Sequence, residues 1–131
     1  MAYLWVALGG ALGSMARYGC SGLVARLTGS PLPLGTLLVN VSGAALIGLL
    51  AGLNVPEGRG LIPVSGRLFL MTGVCGGYTT FSTFSLETLN LMSDGEWGWA
   101  IANIVGSVAL CLVAVWLGFA AGLELNQVKG A

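Results

Sequence analysis

The chain has 131 residues, of which 56% are hydrophobic and 8% are charged, and its formal net charge is zero at neutral pH. Soluble domains carry roughly 25% charged residues, so this composition predicts an integral membrane protein without a soluble domain. The five Lys and Arg residues are scattered and histidine is absent, which excludes a nucleic-acid-binding surface and histidine-dependent nucleophilic catalysis. An enzyme is not expected.

Four membrane crossings account for nearly the whole chain, because each crossing needs about 20 apolar residues. Hydropathy places them at residues 3–25, 34–53, 65–92 and 97–122, within one domain of residues 1–131. The connections at residues 28–33, 54–60 and 93–96 contain the Gly, Pro and polar residues typical of turns. The predicted fold is therefore an all-α bundle of four transmembrane helices.

The first span is expected to be a retained helix, because no basic residue precedes it and Arg17-Tyr18 interrupts it before any small-residue cleavage pattern. Its Arg17 either extends to the membrane boundary or faces protein, water or a partner. The basic residues divide unevenly between the two predicted sides of the membrane, Arg59, Arg67 and Lys129 against Arg26 and Arg17. This bias is too small to fix one orientation, so the sequence permits insertion in both.

Polar residues recur at four-residue intervals in the second and fourth spans. Thr36 and Asn40 lie on one face of the second span, and the fourth span repeats the spacing with Asn103, Ser107 and Cys111. An Asn in a span either bonds a neighbouring helix or donates from its amide to a passing anion. Two polar faces on different helices are the arrangement expected along a conduit.

The third span is interrupted by residues 73–85, with the sequence GVCGGYTTFSTFS. Gly lowers helix stability by about 1 kcal/mol, and unwound backbone at membrane depth occurs only where protein buries it or a wet cavity borders it. We expect the helix to stop near Cys75 and to restart near Thr79 or Thr80. The carbonyls left unpaired at the stop suit a hard cation such as Na⁺, and the N–H groups at the restart suit an anion.

Aromatic and polar side chains follow the restart. Phe81 and Phe84 are either ordinary packing aromatics or rings whose positive edges attract an anion beside the neighbouring hydroxyl groups. Glu87 lies one turn beyond Thr83, and it either hydrogen-bonds that hydroxyl or a neighbouring amide, or handles an ion.

Small residues recur through all four spans. Glycines stand four residues apart in each span, at Gly9 and Gly13, Gly48 and Gly52, Gly73 and Gly77, and Gly118 and Gly122. This spacing favours close helix packing, although a chain with 22 glycines contains several such pairs by chance. We interpret Cys20, Cys75 and Cys111 as small packing residues, because their number is odd and none forms a C-x-x-C pair.

Three segments together resemble the CrcB/Fluc family of fluoride channels, namely residues 9–18, 35–40 and 73–87. The resemblance covers essentially the whole chain, and the TTFSTFS run at residues 79–85 is highly specific. It implies an antiparallel, dual-topology homodimer in the lipid bilayer of the bacterial inner membrane. Two pores would pass fluoride passively out of the cytoplasm and so give fluoride resistance. Pairing is also expected on geometric grounds, because a bundle of four short helices leaves little room for a wet conduit.

The resemblance also implies roles for individual residues. The fluoride pathway would comprise Phe81, Phe84, Asn40, Thr80, Ser82, Thr83 and Ser107, with Arg17 and Glu87 as supporting charges. A structural Na⁺ ion at the dimer centre would bind the main-chain carbonyls of Gly76 and Thr79. Cys111 departs from the family pattern, since some members have serine there and a thiol is a weak donor.

Three other classes of membrane protein make different predictions. A small multidrug transporter resembles this chain in having four spans, but it carries an acidic residue deep in its first helix, where this chain has Arg17. Proton-coupled fluoride export through Glu87 predicts a steep dependence on the pH gradient. A non-transporting assembly subunit predicts no flux from the purified chain.

Overall fold

The computed structural model describes residues 1–55 and 60–130, with side chains up to residue 128. Its helices are α1 (Ala2–Thr28), α2 (Leu34–Gly52), α3 (residues 64–78), α4 (Phe81–Ser93) and α5 (Trp97–Gly130). This part of the chain contains no strand, which confirms the all-α class. Arg59 and most of the predicted second connection lie outside the described residues, as does the side chain of Lys129.

The glycine pairs form the two main helix contacts of the fold. Helix α1 packs against α3, and α2 packs against α5. A methyl group added at Gly9 would overlap the carbonyl oxygen of Phe69, and one added at Gly48 would overlap that of Val115. Backbone therefore meets backbone at both contacts, as expected where dispersion and weak hydrogen bonds hold helices together in lipid. The predicted role of these glycines in close packing is confirmed.

Helix α5 continues well beyond the predicted end at residue 122. Asn126 lies in its last turns with only 5% of its surface exposed. Its side-chain amide donates to the carbonyl oxygen of Leu53, just after the end of α2, at 3.2 Å. The contact ties this more polar segment to the end of α2, where the carbonyl of Leu53 also accepts from the N–H of Leu61 at 3.5 Å.

Much of the outer surface of the helices is apolar. Helices α2 and α5 are long and apolar enough to cross a membrane, judged by length and composition. Large apolar side chains also lie exposed on α1 and α5, including Met15 (70%), Leu112 (63%) and Trp116 (66%). A soluble monomer rarely exposes contiguous apolar surface on this scale, whereas lipid solvates it without cost.

Candidate helix-break site

The break in the third span lies at Thr79 and Thr80. Both residues are extended, with φ/ψ of −79°/156° and −151°/115°, between the end of α3 and the start of α4. The helix thus continues three residues beyond the expected stop near Cys75, as the α-helical turn Gly76–Tyr78 that follows the π-helical segment Leu68–Cys75. Close packing explains the difference, since a methyl group at Gly77 would lie 2.5 Å from the carbonyl oxygen of Gly10 on α1. The backbone contact offsets the low helix propensity of glycine.

Asn40 of α2 binds the broken backbone through both ends of its side-chain amide. Its Oδ1 accepts from the N–H of Thr80 at 2.7 Å, and its Nδ2 donates to the carbonyl of Thr80 at 3.0 Å. Thr80 is 7% exposed, so water has little access to these groups. The sequence allows Asn40 either a bond to a neighbouring helix or a role as a donor to a passing anion. The structure shows a bond of the first kind, to the backbone between α3 and α4. The amide nitrogen carries a second hydrogen, and Asn40 borders an open cleft.

The start of α4 is capped by Thr80. The hydroxyl of Thr80 accepts from the N–H of Thr83 at 3.2 Å and donates to the hydroxyl of Thr83 at 3.0 Å, while Ser82 Oγ lies 3.3 Å away. The hydroxyl of Thr79 instead donates back to the carbonyl of Cys75 at 2.9 Å. One N-cap satisfies only one of the first four N–H groups, so the first turn of α4 keeps a positive end.

A cleft of about 640 Å³ opens beside the break, between α2, α3, α4 and α5. It brings together seven residues singled out above for the fluoride pathway or the cation site, namely Asn40, Gly76, Thr79, Thr80, Phe81, Phe84 and Ser107, and also Cys111. The rings of Phe81 and Phe84 have centroids 5.3 Å apart and are tilted by 46°. Phe84 is 8% exposed and Phe81 is 76% exposed, so one ring belongs to the bundle and the other projects from it.

A second, smaller cavity of about 330 Å³ lies between α1, α2 and α4. Arg17, Thr36 and Thr83 border it, and a neighbouring cavity of about 300 Å³ reaches Glu87. Arg17 is half-buried here. Thr83 and the charged residues therefore lie on another side of the break from the cleft, and Ser82 is exposed near the cap of α4.

The hydrogen-bond partner of Glu87 is neither of the two that the sequence suggests, the hydroxyl of Thr83 or a neighbouring amide. Glu87 Oε1 accepts from the hydroxyl of Thr36 at 2.8 Å. The hydroxyl of Thr83 is bound to Thr80 at the N-cap and is therefore directed towards the break. Glu87 Oε2 is buried and has no hydrogen-bond partner among the described residues. An unpaired buried oxygen is an unusual feature in a folded protein.

A buried polar chain joins α4 to α5 behind Phe84. The hydroxyl of Thr88 donates to the carbonyl of Phe84 at 2.7 Å and accepts from Asn103 Nδ2 at 2.9 Å. The hydroxyl of Ser107 donates to Asn103 Oδ1 at 3.3 Å. The four-residue spacing of polar residues predicts Asn103 and Ser107 but not Thr88. The position of Thr88, four residues after Phe84 on the same helix face, is the signal that indicates its place in this chain.

Comparisons with known proteins show what the whole chain is similar to. The family described as "CrcB-like protein, Camphor Resistance (CrcB)" matches residues 4–119. This chain belongs to the CrcB family. Similar proteins named "Fluoride-specific ion channel FluC" occur in Opitutus terrae, with 60% identity over 98% of both chains, and in Methylocella silvestris, with 53% identity over the full length of both. Another in Rhodospirillum rubrum is 54% identical over 97% of this chain and 98% of its own.

The CrcB family and the apolar helices together identify the chain as a membrane protein. Its relatives carry the name of a channel and not of an enzyme. In this CrcB family member, the residues brought into one cleft come from three different parts of the sequence, on α2, on both sides of the break, and on α5. The break is the feature that joins them.

A cation site in this CrcB family member would depend on main-chain oxygens. The described residues contain no group of three or more His, Cys, Asp or Glu side chains able to hold a metal ion. The N–H of Thr80 bonds Asn40, so the carbonyl of Gly76 does not receive the bond that a continuous helix would supply. The carbonyl of Thr79 belongs to an extended residue outside both helices. Both oxygens therefore fit a hard cation in their chemistry.

Proposed function

We propose that this chain is a fluoride channel that lets fluoride leave the cytoplasm passively across the bacterial inner membrane, which it crosses several times. Relatives named as fluoride-specific ion channels support fluoride as the permeant ion, since they match nearly the whole chain with more than 50% identity. One structural observation carries the assignment of the pathway. The break places the positive start of α4 and the rings of Phe81 and Phe84 in the same cleft as Asn40 and Ser107.

Fluoride is small and strongly hydrated, so a selective path must replace its water with converging donors and still release it. The second amide hydrogen of Asn40 and the first N–H groups of α4 are such donors. The positive edges of the two phenylalanine rings add attraction without binding the ion tightly. The hydroxyl of Ser107 now donates to Asn103, and it would rotate to serve the anion. Ser82 and Thr83 would supply hydroxyls at the start of α4.

The proposed assembly is an antiparallel homodimer with two pores. Its support is the open cleft with the exposed ring of Phe81, which a second copy would cover. Each pore would then have one ring from each subunit. Arg17 and Glu87 would act as supporting charges from the smaller cavities. A structural Na⁺ ion between the subunits would bind the carbonyls of Gly76 and Thr79, where it would hold the two breaks together.

Ion release from liposomes tests this function. Liposomes that contain only the purified protein are loaded with fluoride or with chloride, and an ion-selective electrode records release when valinomycin supplies a potassium counter-current. The channel predicts rapid release of fluoride and retention of chloride. Equal release of both ions, or no release of fluoride, would contradict it, and the second result would favour a non-transporting subunit.

A second candidate is proton-coupled fluoride export. The unpaired, buried Oε2 of Glu87 is the observation in its favour, because a carboxyl group in such a place is a natural proton carrier. An exporter predicts that an imposed pH gradient drives fluoride against its own gradient and that Glu87→Gln abolishes this uptake. A channel predicts that the fluoride gradient and the membrane potential alone set the direction of movement.

A further inference from the structure

Tyr78 is the last residue of α3, immediately before the break, and its hydroxyl contacts two other helices. The hydroxyl lies 3.0 Å from Ser42 Oγ on α2 and 3.6 Å from Cys20 Sγ on α1. The hydroxyl of Ser42 donates its own hydrogen to the carbonyl of Leu38 at 2.7 Å, so the hydroxyl of Tyr78 is the donor in its bond with Ser42. The contact with Ser42 is the stronger of the two, because sulfur is a weak acceptor.

The shape of α2 also fits the end of α3. A methyl group added at Gly43 would overlap Thr79 Cγ2 and would lie 3.2 Å from Tyr78 Cδ1. The last residue of α3 and the two residues of the break thus meet one stretch of α2, with Tyr78 at Ser42, Thr79 at Gly43 and Thr80 at Asn40.

We propose that Tyr78 is a positioning residue, which sets the direction of the Gly76 and Thr79 carbonyls and thereby the affinity of the break for Na⁺. Tyr78 lies between these two residues in the chain, so a fixed ring hydroxyl leaves the connecting peptides little freedom. A preorganised set of ligands binds an ion more tightly than one that must be ordered on binding. The inference rests on the proposed sodium site and adds a determinant of its affinity.

Sodium-dependent thermal unfolding tests the inference. The purified protein in detergent is heated while NaCl replaces N-methyl-D-glucamine chloride at constant ionic strength, and the unfolding temperature is plotted against Na⁺ concentration. Na⁺ bound only to the folded state raises that temperature with a midpoint set by its affinity. Loss of one tethering hydrogen bond in Tyr78→Phe predicts a midpoint raised by about threefold to tenfold. Ser42→Ala should raise it similarly, and the double variant should add little more.

Tyr18→Phe is the matched control, because Tyr18 is 85% exposed on α1 and the same hydroxyl is removed. A purely structural role of Tyr78 would lower the unfolding temperature at every Na⁺ concentration and leave the midpoint unchanged, which would overturn the inference. If Tyr78→Phe fails to fold, the Na⁺ midpoint of Ser42→Ala tests the inference instead, since that variant keeps the tyrosine ring. If the unfolding temperature of the wild-type protein does not respond to Na⁺, the sodium site itself is overturned. If the wild type responds and both Tyr78→Phe and Ser42→Ala fully retain that response, only the role of Tyr78 is overturned.

Discussion

Replacing Asn40 by Leu would remove both hydrogen bonds to Thr80 at similar side-chain volume. Hydrogen bonds between helices in a membrane contribute about 0.6 kcal/mol on average and about 1.7 kcal/mol at most, so two bonds amount to roughly 1.2–3.4 kcal/mol. Because the N–H and carbonyl left behind belong to a residue that is only 7% exposed, we expect a loss in the upper half of that range. Fluoride flux should fall as well, since the extended backbone of the break loses its support.

The free energy of unfolding can be measured by titrating the protein with SDS in mixed micelles. Asn90→Leu is the matched control, because Asn90 is exposed on α4, and it should leave stability nearly unchanged. If Asn40→Leu and Asn90→Leu unfold at the same SDS fraction as the wild type, Asn40 does not hold the break and the reasoning fails.

Two further predictions, on Gly48 and on Asn126, test the packing of the bundle by the same titration. Gly48→Ala should destabilise the fold by about 1–3 kcal/mol because its methyl group meets the carbonyl of Val115. Gly106→Ala should be neutral or stabilising by up to about 1 kcal/mol, because its methyl group would meet no neighbouring helix within 4 Å. Equal effects would refute the assigned contact. Asn126→Leu should cost about 1 kcal/mol through the lost bond to Leu53 and leave fluoride flux per folded protein unchanged. A selective loss of flux would show that this helix end serves the pathway.

The glycine spacing and the unusual composition of residues 73–85 allowed the close helix contacts and a break in the third span to be predicted. The exact place of the break was not predictable, because intrinsic propensity places the weak point at the glycines. In the structure, packing against α1 keeps Gly73 and Gly77 helical and shifts the break to the two threonines. Tertiary contact overrides propensity at this point.

Side-chain partners were the least predictable part of the site. The bond between Thr36 and Glu87 joins residues 51 positions apart, and the bonds between Asn40 and Thr80 join residues 40 positions apart. Helical periodicity gives the face on which each residue lies, but not the rotation and height of one helix against another. Thr83 was therefore a reasonable local partner for Glu87, and the packing of α2 against α4 supplied a different one.

The most direct test of the broken-helix pathway is fluoride release from liposomes containing Phe84→Ile. Phe119→Ile serves as the matched control, because Phe119 lies partly exposed on α5 and does not border the cleft. The pathway predicts that Phe84→Ile loses most or all fluoride release, while Phe119→Ile releases fluoride at the wild-type rate. Full release from a correctly folded Phe84→Ile protein would contradict the central claim that this ring, at the start of α4, belongs to the route of the ion.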